Sequence, residues 1–137
     1  MKELKTSHLK LVKFFSNGTP HNLILWIISK EPIHGYGVMK KLDEFFDFTN
    51  ENCELKSSSS KVYPILRKME DKGLIFGEWQ TINNKRVKYY SITEDGEIVL
   101  NHIRSNMGHV LENSNWLDFI EDMTGKKVEL VDLNECN

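Results

Sequence analysis

A chain of 137 residues, 39% of them apolar and 28% charged, is long enough for one domain with an extended arm and can bury a core. A net charge of −2 excludes a protein that binds polyanions with its whole surface. No apolar run approaches the roughly 20 residues that cross a bilayer, and no signal-peptide core follows the N-terminus. We therefore expect a cytoplasmic protein with no membrane partner.

The charge is distributed in blocks along the chain. Residues 1–30 hold five Lys or Arg against one acid, and residues 31–55 hold two against six. Residues 56–93 hold eight against three, and residues 94–137 hold three against ten. A basic middle between acidic flanks indicates that one surface meets a phosphate backbone and that the others do not.

Nothing in the sequence points to catalysis. Cys53 and Cys136 have the spacing neither of metal ligands nor of a redox pair, so they are interpreted as incidental thiols, with a disulfide between them as the alternative. The chain has no glycine-rich phosphate loop and no nucleophile motif, and its histidines lack a metal spacing. We expect no enzyme, no cofactor and no metal site.

The N-terminal part of the chain predicts an arm and a buried helix. Residues 1–18 form the arm, with a short amphipathic helix that packs on the main body or on a second subunit; a frayed terminus is the alternative. Thr19 and Pro20 are typical of a helix start. Residues 21–30 are mostly apolar, which indicates a helix buried on most of its sides.

Two further helices complete a helix-turn-helix pattern. Residues 36–48 repeat at helical period, with Tyr36 and Leu42 assigned to the apolar face, and an acidic loop follows. The next helix follows a serine run and ends at Gly73. One face is apolar and the opposite face is basic and hydroxyl-bearing, so it is suited to a DNA major groove. A solvated surface helix is the alternative reading of this stretch alone.

After Gly73 the pattern changes to β-rich runs at residues 74–82 and 87–93, joined by a polar, basic tip at residues 83–86. A hairpin with a cationic tip directly after a candidate recognition helix predicts a winged helix-turn-helix. Its cations would meet phosphates or the adjacent minor groove.

The last predicted helix begins at Thr93, which is suited to cap it, and ends at Gly125. Its apolar stripe extends over about 28 residues, or roughly 42 Å, which a single small domain does not bury. Pairing with a second copy in a two-fold dimer is the plain solution. The predicted interface residues are Ile103, Met107, Val110, Leu111, Trp116, Phe119 and Ile120.

Several short motifs occur together between residues 22 and 96. They are Leu23-Ile24-Leu25, Ile33-His34-Gly35-Tyr36, Val62-Tyr63-Pro64-Ile65-Leu66, Leu74-Ile75 and Lys88-Tyr89-Tyr90-Ser91-Ile92-Thr93-Glu94-Asp95-Gly96. With these motifs, residues 22–96 resemble the PadR-like family of bacterial and archaeal transcriptional regulators. The resemblance implies a homodimeric repressor on a palindromic operator, with paired C-terminal helices and without the long C-terminal domain of the larger subgroup.

The chain departs from the family where the third helix begins. The family usually has Ser-Pro-Gly-Thr before this helix's Tyr-Pro motif, whereas this chain has Ser58, Ser59, Ser60 and Lys61. Two residues that shape the start of the helix and one hydroxyl are replaced, and a cation is gained. The family's DNA contacts at this point therefore do not carry over to this chain.

The candidate DNA contacts lie on the third helix and the hairpin. We expect Arg67 to pair with guanine and Tyr63 to donate to a phosphate. Tyr36, Tyr89 and Tyr90 are assigned to packing and His34 to a turn or cap. The full set of candidate contacts is Ser59, Ser60, Lys61, Tyr63, Arg67, Lys68, Lys85, Arg86 and Lys88.

The sequence thus predicts a mainly α protein with a small β-hairpin, an α+β winged helix-turn-helix with a long C-terminal dimerisation helix. Its parts are an arm (1–18), a DNA-binding domain (19–93), the dimerisation helix (94–124) and a tail (125–137). The expected partners are double-stranded DNA and a second copy. Interface packing is the favoured role of Trp116, and binding of a small aromatic effector there is the alternative. The other function considered is a winged-helix module that binds protein instead of DNA.

Overall fold

The computed structural model of the chain describes residues 19–45 and 59–131, with Thr19, Ser59 and Ser60 described by their backbone alone. The predicted N-terminal helix, the acidic loop and both cysteines lie outside these residues. The described part has an α+β fold of five helices and one three-stranded antiparallel sheet. The elements are α1 (Thr19–Lys30), β1 (Ile33–His34), α2 (Gly35–Glu44), α3 (Ser59–Asp71), β2 (Ile75–Ile82), β3 (Lys85–Ile92), α4 (Glu94–Glu112) and α5 (Ser114–Thr124).

The chain divides into two compact units, residues 1–100 and 101–137. In the first unit, α1, α2 and α3 pack around a common apolar core. Helix α1 exposes one stripe, formed by Asn22, Trp26 and Lys30, and is buried or half-buried on its other sides, as its mostly apolar composition predicts. Helices α2 and α3 each pack one face on this core, and Leu100 in the second turn of α4 also belongs to it. The fully or almost fully buried side chains are Ile24, Leu25, Ile28, Val38, Leu42, Val62, Leu66, Ile75 and Leu100.

The buried face of α2 differs from the predicted one. Gly35, Val38 and Leu42 are buried, whereas Tyr36 is 53% exposed. The helix begins at Gly35, and Gly35, Val38 and Leu42 follow one another at intervals of three and four residues on the side that packs. Tyr36 is offset from Gly35 by about 100° and turns toward solvent. The assignment of Tyr36 to packing is therefore wrong.

The sheet has the strand order β1-β3-β2. Strand β1 is only two residues long, and it pairs Ile33 with Tyr90 and His34 with Tyr89. No strand is predicted here, and His34 is assigned to a turn or cap, because two residues are too few to show a strand period. The short strand connects the start of α2 directly to the hairpin.

The hairpin of β2 and β3 (residues 75–92), called the wing below, turns on two residues. Asn83 and Asn84 have φ of 51° and 65°, the left-handed region that asparagine tolerates and that two-residue hairpin turns of this type require. The predicted tip is therefore too long at its C-terminal end. Lys85 and Arg86 are the first residues of β3 and pair with Ile82 and Thr81.

The C-terminal helical region consists of two helices, α4 and α5, where the sequence predicts one continuous helix over residues 94–124. Asn113 leaves the helical conformation with φ −103° and ψ 122°, and its side chain accepts hydrogen bonds from the backbone N–H groups of Asn115 and Trp116. Asparagine is a preferred N-cap, so this residue ends α4 and starts α5. Gly125 ends α5 with φ 69°, as predicted.

Thr93 caps α4 as predicted. Its side-chain oxygen accepts from the N–H of Gly96 at 3.0 Å and donates to the carbonyl of Gly73 at 2.6 Å. The cap therefore joins the start of α4 to the turn that precedes the wing. No helix in the described ranges is long and apolar enough to cross a membrane.

Candidate nucleic-acid interface

A cleft of about 440 Å³ lies between α3, the start of α2 and the wing. It combines aromatic rings with three cationic side chains and one carboxylate. The residues that line the cleft are His34, Gly35, Tyr36, Tyr63, Arg67, Glu70, Trp79, Arg86, Val87, Lys88 and Tyr90.

Helix α3 contributes one wall. Val62, Leu66 and Met69 are buried against the core, so the opposite face of the helix turns outward. On that face Tyr63 is 43% exposed and Arg67 is exposed. An outward arginine one turn after an outward tyrosine presents a guanidinium and a hydroxyl, which suits base edges and phosphates.

The start of α2 approaches α3 closely at Tyr63. A Cβ atom at Gly35 would lie 2.5 Å from Cε1 of the Tyr63 ring. No side chain larger than hydrogen fits there unless the ring moves. The backbone of α2 therefore packs against one side of the tyrosine ring.

The wing contributes the other wall through one of its two faces. Side chains alternate along a strand, and the pairs Gly77–Tyr90, Trp79–Lys88 and Thr81–Arg86 share one face. The guanidinium carbon of Arg86 lies 4.9 Å from the centroid of the Trp79 ring, and Nζ of Lys88 lies 5.8 Å from it. Both contacts are within the range of cation–π attraction.

Trp79 and Glu70 line the cleft but are not among the residues predicted from the sequence. Trp79 is the aromatic one. It is 56% exposed, although a tryptophan side chain usually becomes largely buried. Counting strand pairs outward from a two-residue turn at Asn83 and Asn84 places Trp79 opposite Lys88. The predicted tip has four residues, which shifts this register and does not place Trp79 opposite Lys88.

Lys88 makes an ion pair inside the cleft. Its Nζ donates to Oε1 of Glu70 at 2.8 Å. The pKa of Lys88 is raised above its usual value, mainly because of this hydrogen bond. Partial burial acts in the opposite direction and lowers the pKa. Partial burial is the main cause that raises the pKa of the neighbouring Tyr90 hydroxyl.

The histidine at the start of α2 is part of this packing. His34 stands at the N-cap position of α2 but makes no side-chain capping bond there. Its ring stacks on Tyr89 with centroids 5.6 Å apart, across the β1–β3 pair. Nearby, Nζ of Lys40 lies 5.4 Å from the centroid of the Tyr36 ring.

Over residues 24–102, more than half of its length, the chain matches the model of the transcriptional regulator PadR-like family. The chain belongs to this family. PadR-like proteins are transcriptional regulators and not enzymes. No protein with a curated functional description matches the chain.

Solved structures of PadR-like proteins are similar to the chain. A PadR-like transcriptional regulator from Bacillus cereus has 31% identity and a TM-score of 0.59, covering 72% of this chain and 89% of that one. A PadR family transcriptional regulator from Eggerthella lenta has 26% identity and a TM-score of 0.61, with coverages of 75% and 84%. Bacillus subtilis PadR, solved with operator DNA, has 25% identity and a TM-score of 0.51, with coverages of 60% and 44%.

Within this PadR-like fold the candidate contacts fall into three groups. Tyr63, Arg67, Arg86 and Lys88 line the cleft. Lys61 and Lys68 lie on α3 outside the cleft lining, and Lys85 follows the turn on the other face of the wing. Ser59 and Ser60 belong to the first turn of α3, which is consistent with their assignment to its start.

The predicted interface residues lie on α4 and α5. Met107, Leu111, Trp116 and Phe119 are between 40% and 65% exposed in the single chain, and Ile103, Val110 and Ile120 are half-buried. Trp116 and Phe119 meet edge to face with centroids 5.9 Å apart, beside a hollow of about 430 Å³ that Asn113 and Asn115 complete. Within residues 19–45 and 59–131, no group of three His, Cys, Asp or Glu side chains is arranged to hold a metal ion.

Proposed function

We propose that this PadR-like chain is a homodimeric repressor that binds a palindromic operator in the cytoplasm. The observation that carries the proposal is the cleft, which combines the outward face of α3 with the stacked cations of the wing. The B. subtilis relative that was solved with operator DNA supports the same use of the fold.

In this proposal α3 enters the major groove. Arg67 is exposed and its fork of donors matches the O6 and N7 atoms of guanine. Tyr63 is held by α2 and donates to a phosphate. Lys61 and Lys68 flank them along α3, and Ser59 and Ser60 offer hydroxyls at its start. Arg86 and Lys85 meet the backbone or the minor groove from the wing.

The apolar side chains of α4 and α5 support dimerisation in this proposal. Four large apolar residues, Met107, Leu111, Trp116 and Phe119, are each at least 40% exposed in the single chain. At about 25 cal/mol per Å² of apolar area, a second copy that covers such a stripe gains several kcal/mol. We expect the two α3 helices of the dimer to enter major grooves about one helical turn of DNA apart, roughly 34 Å.

Release from DNA is proposed to come from a small planar aromatic effector at Trp116. The hollow beside Trp116 and Phe119 offers ring faces for stacking and the amides of Asn113 and Asn115 for hydrogen bonds. An effector there changes the angle at which the helices of the two copies pair and thereby shifts the population of DNA-binding dimers.

The effector proposal is tested by titrating the protein with planar aromatic compounds and following tryptophan fluorescence. Quenching is expected in the wild type and in Trp26→Phe, a control on α1, and is expected to disappear in Trp116→Phe. Equal quenching in all three proteins removes Trp116 from the site and leaves it as a packing residue.

The repressor proposal is tested by binding the dimeric protein, verified by light scattering, to its own upstream intergenic DNA and to scrambled DNA over a range of salt concentrations. Tight, selective binding whose affinity falls steeply with salt is expected, because phosphate contacts release counterions. Weak binding that is equal on both DNAs contradicts the proposal and favours a module whose partner is protein.

A further inference from the structure

One ion pair connects the wing to α3 across the cleft. Glu70 lies in the last turn of α3, and its Oε1 accepts from Nζ of Lys88 on β3 at 2.8 Å. The side chains are 31% and 26% exposed, so the pair is partly shielded from solvent. A partly buried pair is screened less by salt than a fully exposed one.

Two aromatic rings and a glycine surround the Lys88 side chain. Its Nζ lies 5.3 Å from the ring centroid of Tyr90 and 5.8 Å from that of Trp79, so two aromatic rings flank the ammonium group. On β2, Gly77 pairs with Tyr90 and lies diagonally across from Lys88 on the same face. A Cβ atom at Gly77 would collide with the Lys88 stem and lie 2.9 Å from Oε2 of Glu70. The missing side chain at Gly77 makes room for the pair.

The pair is located where the sheet loses its third strand. Strand β1 pairs with Tyr90 and Tyr89, and Lys88 is the next residue of β3 toward the tip. From Lys88 to the turn, the wing is a ribbon of two strands. An isolated two-stranded ribbon is marginally stable, so a contact at this point controls how firmly the outer part of the wing is held.

We propose that Glu70 and Lys88 are positioning residues that fix the angle of the wing against α3, and that Lys88 does not contact a DNA phosphate. This inference rests on the proposed DNA-binding function and refines it. Arg86 and Lys85 then supply the wing's phosphate contacts, and the Glu70–Lys88 pair sets where those contacts fall relative to Arg67.

Lys88 has a second effect in this arrangement. Glu70 lines the cleft that faces DNA, and an unpaired carboxylate there repels the phosphates. The ion pair cancels this charge. The loss of Lys88 alone is therefore expected to be more damaging than the loss of both partners.

The test uses the charge-neutral double variant Glu70→Gln/Lys88→Met in the full chain. Operator affinity is expected to fall about tenfold for a dimer with two such pairs, while the slope of log affinity against log salt stays at the wild-type value. Lys88→Met alone is expected to bind more weakly than the double variant. Melting curves verify that each variant is folded.

Two matched controls use the other face of the wing. Glu78→Gln removes an exposed carboxylate from β2 and is expected to leave affinity unchanged. Lys85→Met removes the lysine that follows the turn and is expected to lower the salt slope by about 0.9 for each lost phosphate contact.

Each outcome for the double variant bears on the proposal. A slope reduced by about 1.8 for the dimer identifies Lys88 as a phosphate contact and overturns it. Unchanged affinity and slope also overturn it. Equal affinities of Lys88→Met and the double variant contradict the neutralising effect.

A DNA-free measurement separates this inference from the proposed function. Amide hydrogen exchange between Gln80 and Val87 is expected to accelerate in the double variant, with exchange in the middle of α3 unchanged. Equal exchange in the two proteins overturns the positioning role. Failure of the wild type to bind DNA contradicts the proposed function and leaves this readout intact.

Discussion

The guanidinium group of Arg86 is stacked over the indole ring of Trp79, with 4.9 Å between the guanidinium carbon and the ring centroid. Contact with the ring restricts the Arg86 side chain, which would otherwise be a flexible side chain on the surface. Stacking at an exposed site is worth about 0.5–1 kcal/mol. We therefore expect Trp79 to affect DNA binding through the placement of Arg86.

Substitution of Trp79 by Leu is expected to weaken operator binding about two- to fivefold per subunit, the equivalent of one lost stacking contact. Trp79→Phe retains an aromatic face and is expected to recover most of the loss. Phe76→Leu is the matched control, since Phe76 is an exposed aromatic on the opposite face of β2. Fluorescence anisotropy with labelled operator measures all three. Equal losses of operator affinity in Trp79→Leu and Trp79→Phe would contradict a role for stacking.

Arg67→Ala is expected to cost about 1–3 kcal/mol of operator binding and to relax the preference for one base in each half-site. The reason is that its guanidinium is exposed on the outward face of α3 and is proposed to pair with a guanine. Affinities for the operator and for single-base variants of it are compared by gel shift. Arg104→Ala, an exposed arginine on α4, is the control. Unchanged affinity after the Arg67 substitution removes this residue from the interface.

Arg86→Ala is expected to weaken binding to operator and scrambled DNA by the same factor. A phosphate contact carries no sequence information, and its loss reduces the salt slope by about 0.9 per contact. Binding to both DNAs is measured at four or more salt concentrations. A loss confined to the operator would assign Arg86 to base readout instead.

Two glycines of α4 give opposite predictions for stability. A Cβ atom at Gly96 would collide with the backbone carbonyl of Leu74 and the Ile92 side chain, so Gly96→Ala is expected to cost about 1–3 kcal/mol. A Cβ atom at Gly108 meets nothing within 4 Å, so Gly108→Ala is expected to raise helix stability by about 0.5–1 kcal/mol. Urea unfolding followed by circular dichroism measures both. The same sign of change in both variants would refute the steric argument at Gly96.

The raised pKa values of Lys88 and Tyr90 predict a loss of stability at alkaline pH. A group whose pKa is higher in the folded state stabilises that state fully below its unfolded pKa, near 10 for both side chains, and loses this contribution as pH rises through the folded pKa. The contribution of these residues is therefore constant from pH 6 to 9 and declines above pH 10. Urea unfolding between pH 7 and 11 measures it. Tyr90→Phe is expected to make the alkaline decline shallower, and an identical decline would contradict the assignment.

The helices were predictable because their signals are local. The spacing of Val62, Leu66 and Met69 identifies the buried face of α3, and the same spacing leaves Arg67 outward. The start of α4 at Thr93 and the end of α5 at Gly125 follow from cap chemistry. Each of these signals depends on residues that follow one another at intervals of at most four positions, so it can be read from the sequence.

The errors occurred where the deciding contact is distant or the local signals compete. The apolar stripe continues through Asn113, but its side chain caps the following helix and divides the stripe into α4 and α5. Tyr36 has the aromatic character of a core residue, yet Gly35 takes the inward position beside Tyr63. The two-residue strand β1 exists only because β3 lies beside it.

The helix-turn-helix, the basic β-hairpin and the family resemblance could be predicted from the sequence, because periodicity, caps and short motifs depend on neighbouring residues. Which cations of the wing face solvent and which are paired is seen only in the folded structure. Lys88 and Glu70 are 18 positions apart in the chain, and their contact depends on the register of β2 with β3 and on the packing of the wing against α3. Electrostatic pairing follows distance in space, which only folding sets.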